Sequence, residues 1–425
     1  MTTDFYDALE TRDPAAREAA ALAALPALIR RAQGTPAGAE RLGKVDAAAV
    51  TSRAALALLP VLRKTELHER QKAGRSSAQA WDPLGGWSAI GWRGMRAASG
   101  ARRVFQSPGP IYEPEGHGSD PWRMARSIWA AGFRAGDLVH CSFSYHLTPA
   151  GAMMEGGAHA IGCTTFAGGV GNTELQLQAA VDLRPHGYIG TPSFLKILLE
   201  KADEAKLDLR SITKALVSGE AFPPSLRDWL RARGIEGYQA YATADVGLIA
   251  YETAAREGLV VDEGVLLEIV RPGTDDPVPD GEVGEVVVTV LATGDYPLVR
   301  LGTGDLSAVL PGRCPSGRTA TRIKGWMGRA DQTTKVRGML VHPSQVADVT
   351  RRHAEIVRAR VVVEGEMASD RLTFKAEVSA RPEGLAEAIA ASVRDVTKLR
   401  ADVVLASPGT LPNDGKVIED ARSYR

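Results

Sequence analysis

Residues able to bind or stabilise charged groups recur in an ordered series of short segments. These are SGEAF (218–222), YATADVG (241–247), GTGDLS (302–307), GRADQTTKVRG (328–338) and NDGKV (413–417). Carboxylates such as Asp245 and Asp305 offer several acceptor oxygens, which suit hydroxyl groups and hard cations. An ammonium such as that of Lys416 can offset negative charge that builds up in a transition state. Each segment alone is compatible with an ordinary turn, so their order along the chain carries the argument.

The elements that would position these segments form a repeating pattern. Residues 15–33 have helical spacing, and from about residue 120 helical stretches alternate with short apolar strands. This alternation predicts a doubly wound α/β sheet. Ligands bind beyond the carboxyl ends of the strands in such sheets, which points to GTPS (190–193), SGEAF and the turn after GYQAYATAD.

The second half of the sequence changes character twice. Residues 259–310 are β-rich and interrupted by turn residues, which predicts a β-rich subdomain. After GRADQ, the order helix, strand, strand, helix, strand predicts a small α+β unit that would act as a lid or a docking domain. We therefore predict a large N-terminal domain over residues 1–329 and a small C-terminal lid domain over residues 330–425.

Composition narrows the class of partner. The chain has 425 residues, with 51 basic and 51 acidic side chains, so no net field would draw it to nucleic acid or to an anionic membrane. The three cysteines lie far apart, which argues against disulfides and zinc ribbons. The acidic, polar N-terminus is unlike a signal peptide, and no apolar stretch reaches membrane-spanning length. We expect a soluble cytoplasmic protein that acts on small molecules.

Several segments resemble those of the phenylacetate-CoA ligase family of adenylate-forming enzymes. The resemblance spans most of the chain and includes the five segments above. It also includes LPVLRKTEL (59–67), GGVGNTELQ, GTPSFL and VHPSQV (341–346). It implies a reaction in which a carboxylate attacks ATP to give an acyl-adenylate, and CoA then displaces AMP to give a thioester. ATP, Mg²⁺ and CoA are the implied cofactors, the acid is expected to be aromatic or arylacetic, and a homodimer is compatible with the family.

The resemblance also implies roles for individual residues. Asp305 would accept hydrogen bonds from both ribose hydroxyls, Tyr241 would lie against adenine, and Arg329 would contact the ribose. The remaining residues that would line the nucleotide pocket are Ser218, Gly219, Glu220, Ala242 and Thr243. The alternatives are a turn aspartate for Asp305, a half-buried aromatic for Tyr241 and a plain βα turn for SGE.

Three further positions would serve metal binding, rotation and adenylation. Asp245 stands where the family usually has a glutamate that holds Mg²⁺, and a helix N-cap is its alternative. Asp331 resembles the hinge about which the lid rotates, with an exposed turn as the alternative. Lys416 resembles the lysine placed beside the α-phosphate and the substrate carboxylate, whereas an isolated lysine near a C-terminus is usually solvated.

The sequence departs from the family in the phosphate loop. The segment in its place is VFQSPGPIYEPEG (104–116), where prolines remove backbone donors and Glu113 and Glu115 add negative charge. YATAD replaces the usual YGxTE motif, and the Cys and His residues of metal-binding relatives are missing, so no zinc site is expected.

The acyl pocket is assigned from FSYHLTPAG (143–151), which resembles the family's aryl-pocket segment. Tyr145 and His146 are the candidates from this segment, and Ala240, in GYQAYATAD, is a further candidate for the acyl pocket. His146 could orient the carboxylate or cap a core hydrogen-bond network. The altered phosphate loop leaves two functional hypotheses: an ATP-dependent aryl-CoA ligase, or a nucleotide- or acyl-CoA-binding homologue that has lost adenylation.

Overall fold

A computed structural model describes most of the chain and divides it into two compact units. The described residues are 4–77, 81–91, 100–291, 295–330, 332–337, 339–365, 370–412 and 416–422. The first unit comprises Met1–Phe222 and Leu226–Met327, and the second comprises Pro223–Ser225 and Gly328–Arg425. The mixed α/β class predicted from the sequence is confirmed.

Helices before residue 328 cover both the N-terminal region and the α/β region. They are α1 (Pro14–Gln33), α2 (Pro36–Leu42), α3 (Arg53–Ala57), α4 (Lys64–Ser76), α5 (Ala125–Ala130), α6 (Ala150–Ala160), α7 (Thr173–Leu183), α8 (Pro192–Ala205) and α9 (Pro224–Arg231). The predicted opening helix is confirmed as α1. It begins after Asp13, whose side chain accepts a hydrogen bond from the backbone N–H of Ala16 at 2.9 Å.

Strands before residue 328 form three sheets. They are β1 (Leu62–Arg63), β2 (Arg103–Ser107), β3 (Ile111–Glu115), β4 (Leu138–Cys141), β5 (Thr164–Ala167), β6 (Gly187–Gly190), β7 (Lys214–Val217), β8 (Glu236–Thr243), β9 (Gly247–Glu252), β10 (Leu259–Val261), β11 (Val265–Val270), β12 (Gly284–Val290), β13 (Leu301–Ser307), β14 (Val309–Leu310) and β15 (Arg322–Ile323). Strands β2 and β3 form a two-stranded hairpin of their own.

The largest sheet has nine strands in the order β14-β15-β10-β9-β8-β7-β6-β4-β5. The pairs from β5 to β8 are parallel, whereas β8 and β9 form an antiparallel pair. The central parallel strands β4, β6 and β7 are nearly fully buried, and helices connect the strands along the chain, as the predicted alternation requires. Their carboxyl ends therefore meet along one edge, which carries the candidate site.

The β-rich region predicted at residues 259–310 is divided between two sheets. Strands β11, β12 and β13 form a four-stranded sheet with β1, whereas β10 and β14 join the nine-stranded sheet. Strand β1 pairs in parallel with β13, so the LPVLRKTEL segment is fixed beside GTGDLS. The β-rich character of this region is confirmed, but its strands do not form a single subdomain. The order of apolar runs along the sequence does not determine which strands pair.

The second unit has a small α+β architecture. Its elements are β16 (Thr334–Val336), β17 (Met339–Val341), α10 (Pro343–Arg352), β18 (Ile356–Glu364), β19 (Arg371–Val378), α11 (Leu385–Thr397), β20 (Asp402–Ala406) and β21 (Ile418–Asp420). The sheet order is β20-β19-β18-β21, and β16 pairs with β17. The predicted helix, strand, strand, helix, strand order is confirmed. Within the described ranges, no helix is both long and apolar enough to cross a bilayer.

Candidate functional site

The SGEAF segment lies directly beyond β7, next to the carboxyl end of β8. Ser218 is buried, and its hydroxyl donates to the backbone carbonyl of Ala240 at 2.7 Å. Gly219 has a φ of 79°, a left-handed conformation that favours glycine. Glu220 is half-buried beside it. The structure therefore brings Ser218 and Ala240 together, as expected for two neighbouring parallel strands.

Asp305 is the centre of a buried hydrogen-bond network. It lies within β13, so the alternative of a turn aspartate is wrong. The Tyr241 hydroxyl donates to Asp305 Oδ2 at 2.8 Å, and the Trp326 indole N–H donates to Oδ1 at 3.2 Å. The Asp305 backbone N–H donates to Thr303 Oγ1 at 3.1 Å. The carboxylate is therefore held in one orientation.

The sequence prediction placed Tyr241 against adenine, and the structure adds a role in orienting Asp305. Its ring is half-buried, as are the adjoining Ala242 and Thr243 of the same strand. Tyr241 and Asp305 belong to different sheets, so no local pattern predicted their contact. Trp326 was not predicted at all, because an isolated tryptophan before GRADQ carries no recognisable signal.

Asp245 lies in the turn between β8 and β9 and therefore does not cap a helix. Its side chain is 1% exposed, and Lys64 Nζ lies 2.6 Å from Oδ2. Its other oxygen, Oδ1, is buried and has no hydrogen-bond partner. Sequence reasoning missed Lys64, although the segment that contains it was matched to the family. Its proximity to Asp245 depends on the pairing of β1 with β13.

A hairpin occupies the place of the expected phosphate loop. Its strands are β2 and β3, and its exposed tip contains Pro108, Gly109 and Pro110, with a cis bond between the last two. The Gln106 backbone N–H donates to Leu147 O at 2.8 Å, which joins the hairpin to the predicted acyl segment. The segment is therefore a folded element of the site.

The two glutamates of this hairpin are buried, and their surroundings offset the negative charge that the sequence suggested. Burial raises the pKa of the Glu113 carboxyl well above its usual range, and the nearby Asp245 carboxylate raises it further. The Ser107 hydroxyl donates to Glu113. Glu115 is buried and ion-paired with Arg103 at 2.5 Å. The expected repulsion of phosphates is therefore weaker, because burial disfavours the charged form of the Glu113 carboxyl and Glu115 is paired.

The residues around Asp245 fit a hard cation. Asp245 Oδ1 and Glu113 Oε2 are both buried oxygens without a hydrogen-bond partner, and the two carboxyls influence each other electrostatically. Mg²⁺ is commonly held by one or two carboxylates together with substrate phosphates. In the described ranges no group of three or more metal-binding side chains is found, so any cation here would need ligands from substrate or water.

The segment predicted to line the acyl pocket (143–151) has both buried and exposed residues. Tyr145 has a buried hydroxyl, and burial together with the nearby Cys141 thiol raises the pKa of that hydroxyl. Ala240 is also buried. His146 is exposed and its backbone N–H donates to Ser144 Oγ at 3.1 Å, so it caps no core network.

Residues predicted to act from the lid lie in the second unit. Lys416 is exposed, and its backbone carbonyl accepts from Arg360 Nε at 3.1 Å. The Gln332 side-chain oxygen accepts from the backbone N–H of Val417 at 2.7 Å, which anchors the residue after Lys416. Arg329 is half-buried. Asp331, the predicted hinge, lies outside the described residues.

Comparisons with known proteins point to one family. A model described as AMP-binding enzyme matches residues 124–290. The phenylacetate-coenzyme A ligase of Aromatoleum evansii is 31% identical over 270 residues, which cover 61% of this chain and 61% of that protein. The ligase of the same name from Thermus thermophilus is 30% identical over 317 residues, covering 68% and 71%. The chain therefore matches about three-fifths to seven-tenths of the length of these relatives.

Solved structures support the fold. A crystal structure of 2-hydroxyisobutyryl-CoA ligase in complex with 2-HIB-AMP and CoA has a TM-score of 0.81 and 24% identity, covering 99% of this chain and 93% of that one. The amide bond synthetase McbA of Marinactinospora thermotolerans has a TM-score of 0.54 and 19% identity, covering 74% and 66%. At these identities the likeness is one of fold. Because the Thermus thermophilus match combines 30% identity with 71% coverage of that ligase, the chain belongs to the phenylacetate-coenzyme A ligase family of adenylate-forming enzymes.

Proposed function

We propose that this chain is an AMP-forming acid–thiol ligase. In the first step a carboxylate oxygen attacks the α-phosphorus of ATP, and the bond to pyrophosphate breaks. In the second step the sulfur of CoA attacks the acyl carbon, and the bond to AMP breaks. Both steps depend on positioning and charge neutralisation more than on covalent help from the protein.

The oriented carboxylate of Asp305 is the observation that carries this proposal. Two donors, the Tyr241 hydroxyl and the Trp326 indole, fix its oxygens from within the same unit. A charged carboxylate held in this way is suited to bind the two hydroxyls of a ribose. Ser218, Gly219 and Glu220, at the adjoining strand ends, are proposed to line the same nucleotide pocket.

A cation would complete the phosphate side of this pocket. Bound Mg²⁺ would neutralise charge on the phosphates, and Asp245 Oδ1 and Glu113 Oε2 are the oxygens that would hold it. Burial raises the pKa of Glu113, and a bound cation would lower it again by stabilising the carboxylate. Lys64 supplies a positive charge to the same cluster.

We propose an aromatic, arylacetic acid as the substrate. Support comes from the names of the sequence relatives and from Tyr145, whose half-buried ring packs against the core and lies beside Gly151 in α6. A solved structure with a similar fold is named a 2-hydroxyisobutyryl-CoA ligase, so a short hydroxy acid is the substrate with which arylacetic acids should be compared.

Lys416 is proposed to act in adenylation, and Asp331 to act as the hinge. A cytoplasmic location and a homodimer remain part of the proposal.

A second candidate is a nucleotide- or acyl-CoA-binding homologue that has lost adenylation. The hairpin that replaces the phosphate loop favours it, because its tip has two prolines and few backbone donors. The test is incubation of the purified protein with ATP, Mg²⁺, CoA and a panel that includes phenylacetic, benzoic and 2-hydroxyisobutyric acids. AMP release and thioester formation are measured. Acid-dependent release of AMP supports the ligase, and its absence with every acid supports the binding homologue.

A further inference from the structure

The segment that precedes α5 is hydrogen-bonded to the turn that carries Asp245. The indole N–H of Trp122 donates to the Ala244 carbonyl at 3.4 Å. The next residue, Arg123, donates through Nη2 to the Val246 carbonyl at 2.6 Å. Two consecutive side chains therefore fix the backbone carbonyls of the residues on either side of Asp245, so the position of this turn depends on them.

Arg123 is itself fixed by a buried carboxylate. Its side chain is 11% exposed, and Nε donates to Asp262 Oδ2 at 2.9 Å. Nη2 also donates to the Leu248 carbonyl at 3.0 Å. The backbone of Arg123 has a φ of 63°, a left-handed conformation that non-glycine residues adopt only where surrounding contacts hold it. A Cβ at Gly264 would lie 2.4 Å from Arg123 Cδ, so glycine at that position leaves room for the arginine.

Trp122 connects the same turn to the hairpin that carries Glu113. A Cβ at Gly247 would lie 2.7 Å from the Trp122 carbonyl oxygen, so the two backbones are in close contact. The Trp122 ring packs edge-to-face on Phe105 with 5.7 Å between the ring centroids. Phe105 lies directly opposite Glu113 in the pairing of β2 with β3. One tryptophan therefore contacts both elements that carry the candidate cation ligands.

These contacts surround the oxygens proposed to hold a cation. Asp245 Oδ1 and Glu113 Oε2 are buried and have no hydrogen-bond partner, and they belong to elements that are distant in the sequence. Side chains that bind a metal are commonly oriented by neighbouring residues that do not touch the metal, and loss of such a neighbour weakens metal binding. Trp122 and Arg123 are in place to do this through the backbone of the turn.

We infer that Trp122 and Arg123 are positioning residues for the cation that accompanies the nucleotide. The inference rests on the proposed function, which assigns Asp245 and Glu113 to that cation. Arg123 reaches a carboxylate and two carbonyls with one planar group of donors. A lysine ammonium is a point charge without this fork, so the substitution R123K keeps the positive charge and loses part of the hydrogen-bond set.

Arg126 provides a matched control because it contacts the other oxygen of the same carboxylate. Its Nη1 donates to Asp262 Oδ1 at 2.9 Å, and its Nη2 donates to Asp7. Within the described residues it makes no hydrogen bond to the turn that carries Asp245. R123K and R126K should therefore both lower the melting temperature, since each weakens the pairing of buried Asp262, whereas only R123K should disturb the turn.

The test is a titration of the full-length protein with Mn²⁺ in the presence of α,β-methylene-ATP, an analogue that cannot be adenylated. Free Mn²⁺ is measured by electron paramagnetic resonance for the wild type, R123K and R126K. We expect R123K to bind Mn²⁺ roughly ten- to a hundredfold more weakly than the wild type, the usual cost of removing a residue that orients a metal ligand. R126K should bind Mn²⁺ as the wild type does.

Three outcomes would overturn the inference. The first is unchanged Mn²⁺ affinity in R123K, and the second is an equal loss in R126K, which would show that the effect follows from Asp262 and overall stability. The third is a wild type that binds no Mn²⁺ with the analogue. If R123K does not fold, W122F repeats the titration, because it removes the hydrogen bond to Ala244 and keeps an aromatic ring. Unchanged affinity in W122F would then count against the inference.

Failure of the proposed function remains distinguishable from failure of this inference. AMP release with the panel of acids is measured separately from Mn²⁺ binding. A wild type that binds Mn²⁺ with the analogue but releases no AMP with any acid would contradict the ligase and leave the positioning role intact. A wild type that releases AMP while R123K keeps its full Mn²⁺ affinity would support the ligase and contradict the positioning role.

Discussion

Lys64 Nζ lies 2.6 Å from Asp245 Oδ2, although the two residues are 181 positions apart. Lys64 begins α4, directly after the short strand that pairs with β13. Asp245 lies in the turn that follows β8. This contact therefore joins the N-terminal LPVLRKTEL segment to the motif predicted to bind the nucleotide and the cation.

Substitution K64M should destabilise the protein through Asp245. The Asp245 side chain is 1% exposed and that of Lys64 is 31% exposed, so loss of the ammonium leaves a buried carboxylate without its partner. We expect the free energy of unfolding to fall by about 1–3 kcal/mol, which is less than the roughly 3–5 kcal/mol for a fully buried pair because Lys64 is partly solvated. Urea unfolding of K64M, D245N and the double variant gives the coupling. Additive effects of the two single variants would contradict a direct interaction.

Substitution Y241F should weaken nucleotide binding. It removes the 2.8 Å hydrogen bond that helps to orient Asp305 while keeping the ring. Loss of one hydrogen bond to a charged group is worth about 1.5–3 kcal/mol, so the KM for ATP should rise roughly tenfold or more, with little change in the KM for the acid.

The matched control is Y238F, because Tyr238 lies on the same strand and its ring contacts Arg256 rather than the Asp305 network. An equal rise in both KM values for Y241F, or a similar effect in Y238F, would argue against a specific role in holding Asp305.

Features of the fold that depend on short stretches of sequence could be predicted from the sequence alone. Strand ends at Gly190 and Val217 followed from apolar runs that stop at turn residues, and the second unit followed from its alternating helices and strands. The motifs also identified Asp305, which lies in a buried strand with oriented oxygens.

Contacts between distant segments could not be predicted in the same way. Trp326 contacts Asp305 from the irregular segment that follows β15, and the position of Lys64 depends on a two-residue strand with no detectable pattern. The hairpin at β2 and β3 was hidden by its prolines, which normally argue against a strand. Pro114 is tolerated because this sheet has only two strands, so its missing N–H disrupts no neighbouring ladder.

Stability should depend on His140 at acidic pH. The ring is fully buried in β4, Nε2 contacts Gln176 Oε1 at 2.8 Å, and desolvation lowers the pKa of the imidazole. The unfolded state therefore binds a proton more readily than the folded state. The contribution of neutral His140 to the free energy of unfolding is complete above about pH 6.5. It is lost as the pH falls toward the pKa of His140 in the folded state, and the free energy of unfolding then falls by at most about 1.4 kcal/mol per pH unit.

The measurement is urea unfolding from about pH 7.5 to 5 for the wild type, H140F and H117F. H140F should have a shallower dependence on pH whatever its absolute stability, because it has no proton to bind at this position. His117 is exposed, so H117F should keep the wild-type slope. The same slope in H140F and the wild type would show that other groups determine the acid sensitivity.

Substitution K416A should separate the two half-reactions. Lys416 is exposed, and the chain beside it is anchored through Gln332, whose side chain accepts from the Val417 backbone at 2.7 Å. An ammonium at the α-phosphate would stabilise the charge that develops as the carboxylate attacks in the first step. Adenylation, followed by exchange of labelled pyrophosphate into ATP, should therefore fall by about 10²–10³-fold, the usual cost of removing one such group. Conversion of preformed acyl-adenylate to thioester should change by only a few-fold, because Asp331 is proposed to be the hinge about which the lid rotates between the two half-reactions, so Lys416 would no longer lie at the phosphate in the second step. K398A is the matched control, since Lys398 is an exposed lysine of the same unit that is paired with Asp395. An equal loss of both half-reactions in K416A would assign Lys416 to the integrity of the unit instead of adenylation.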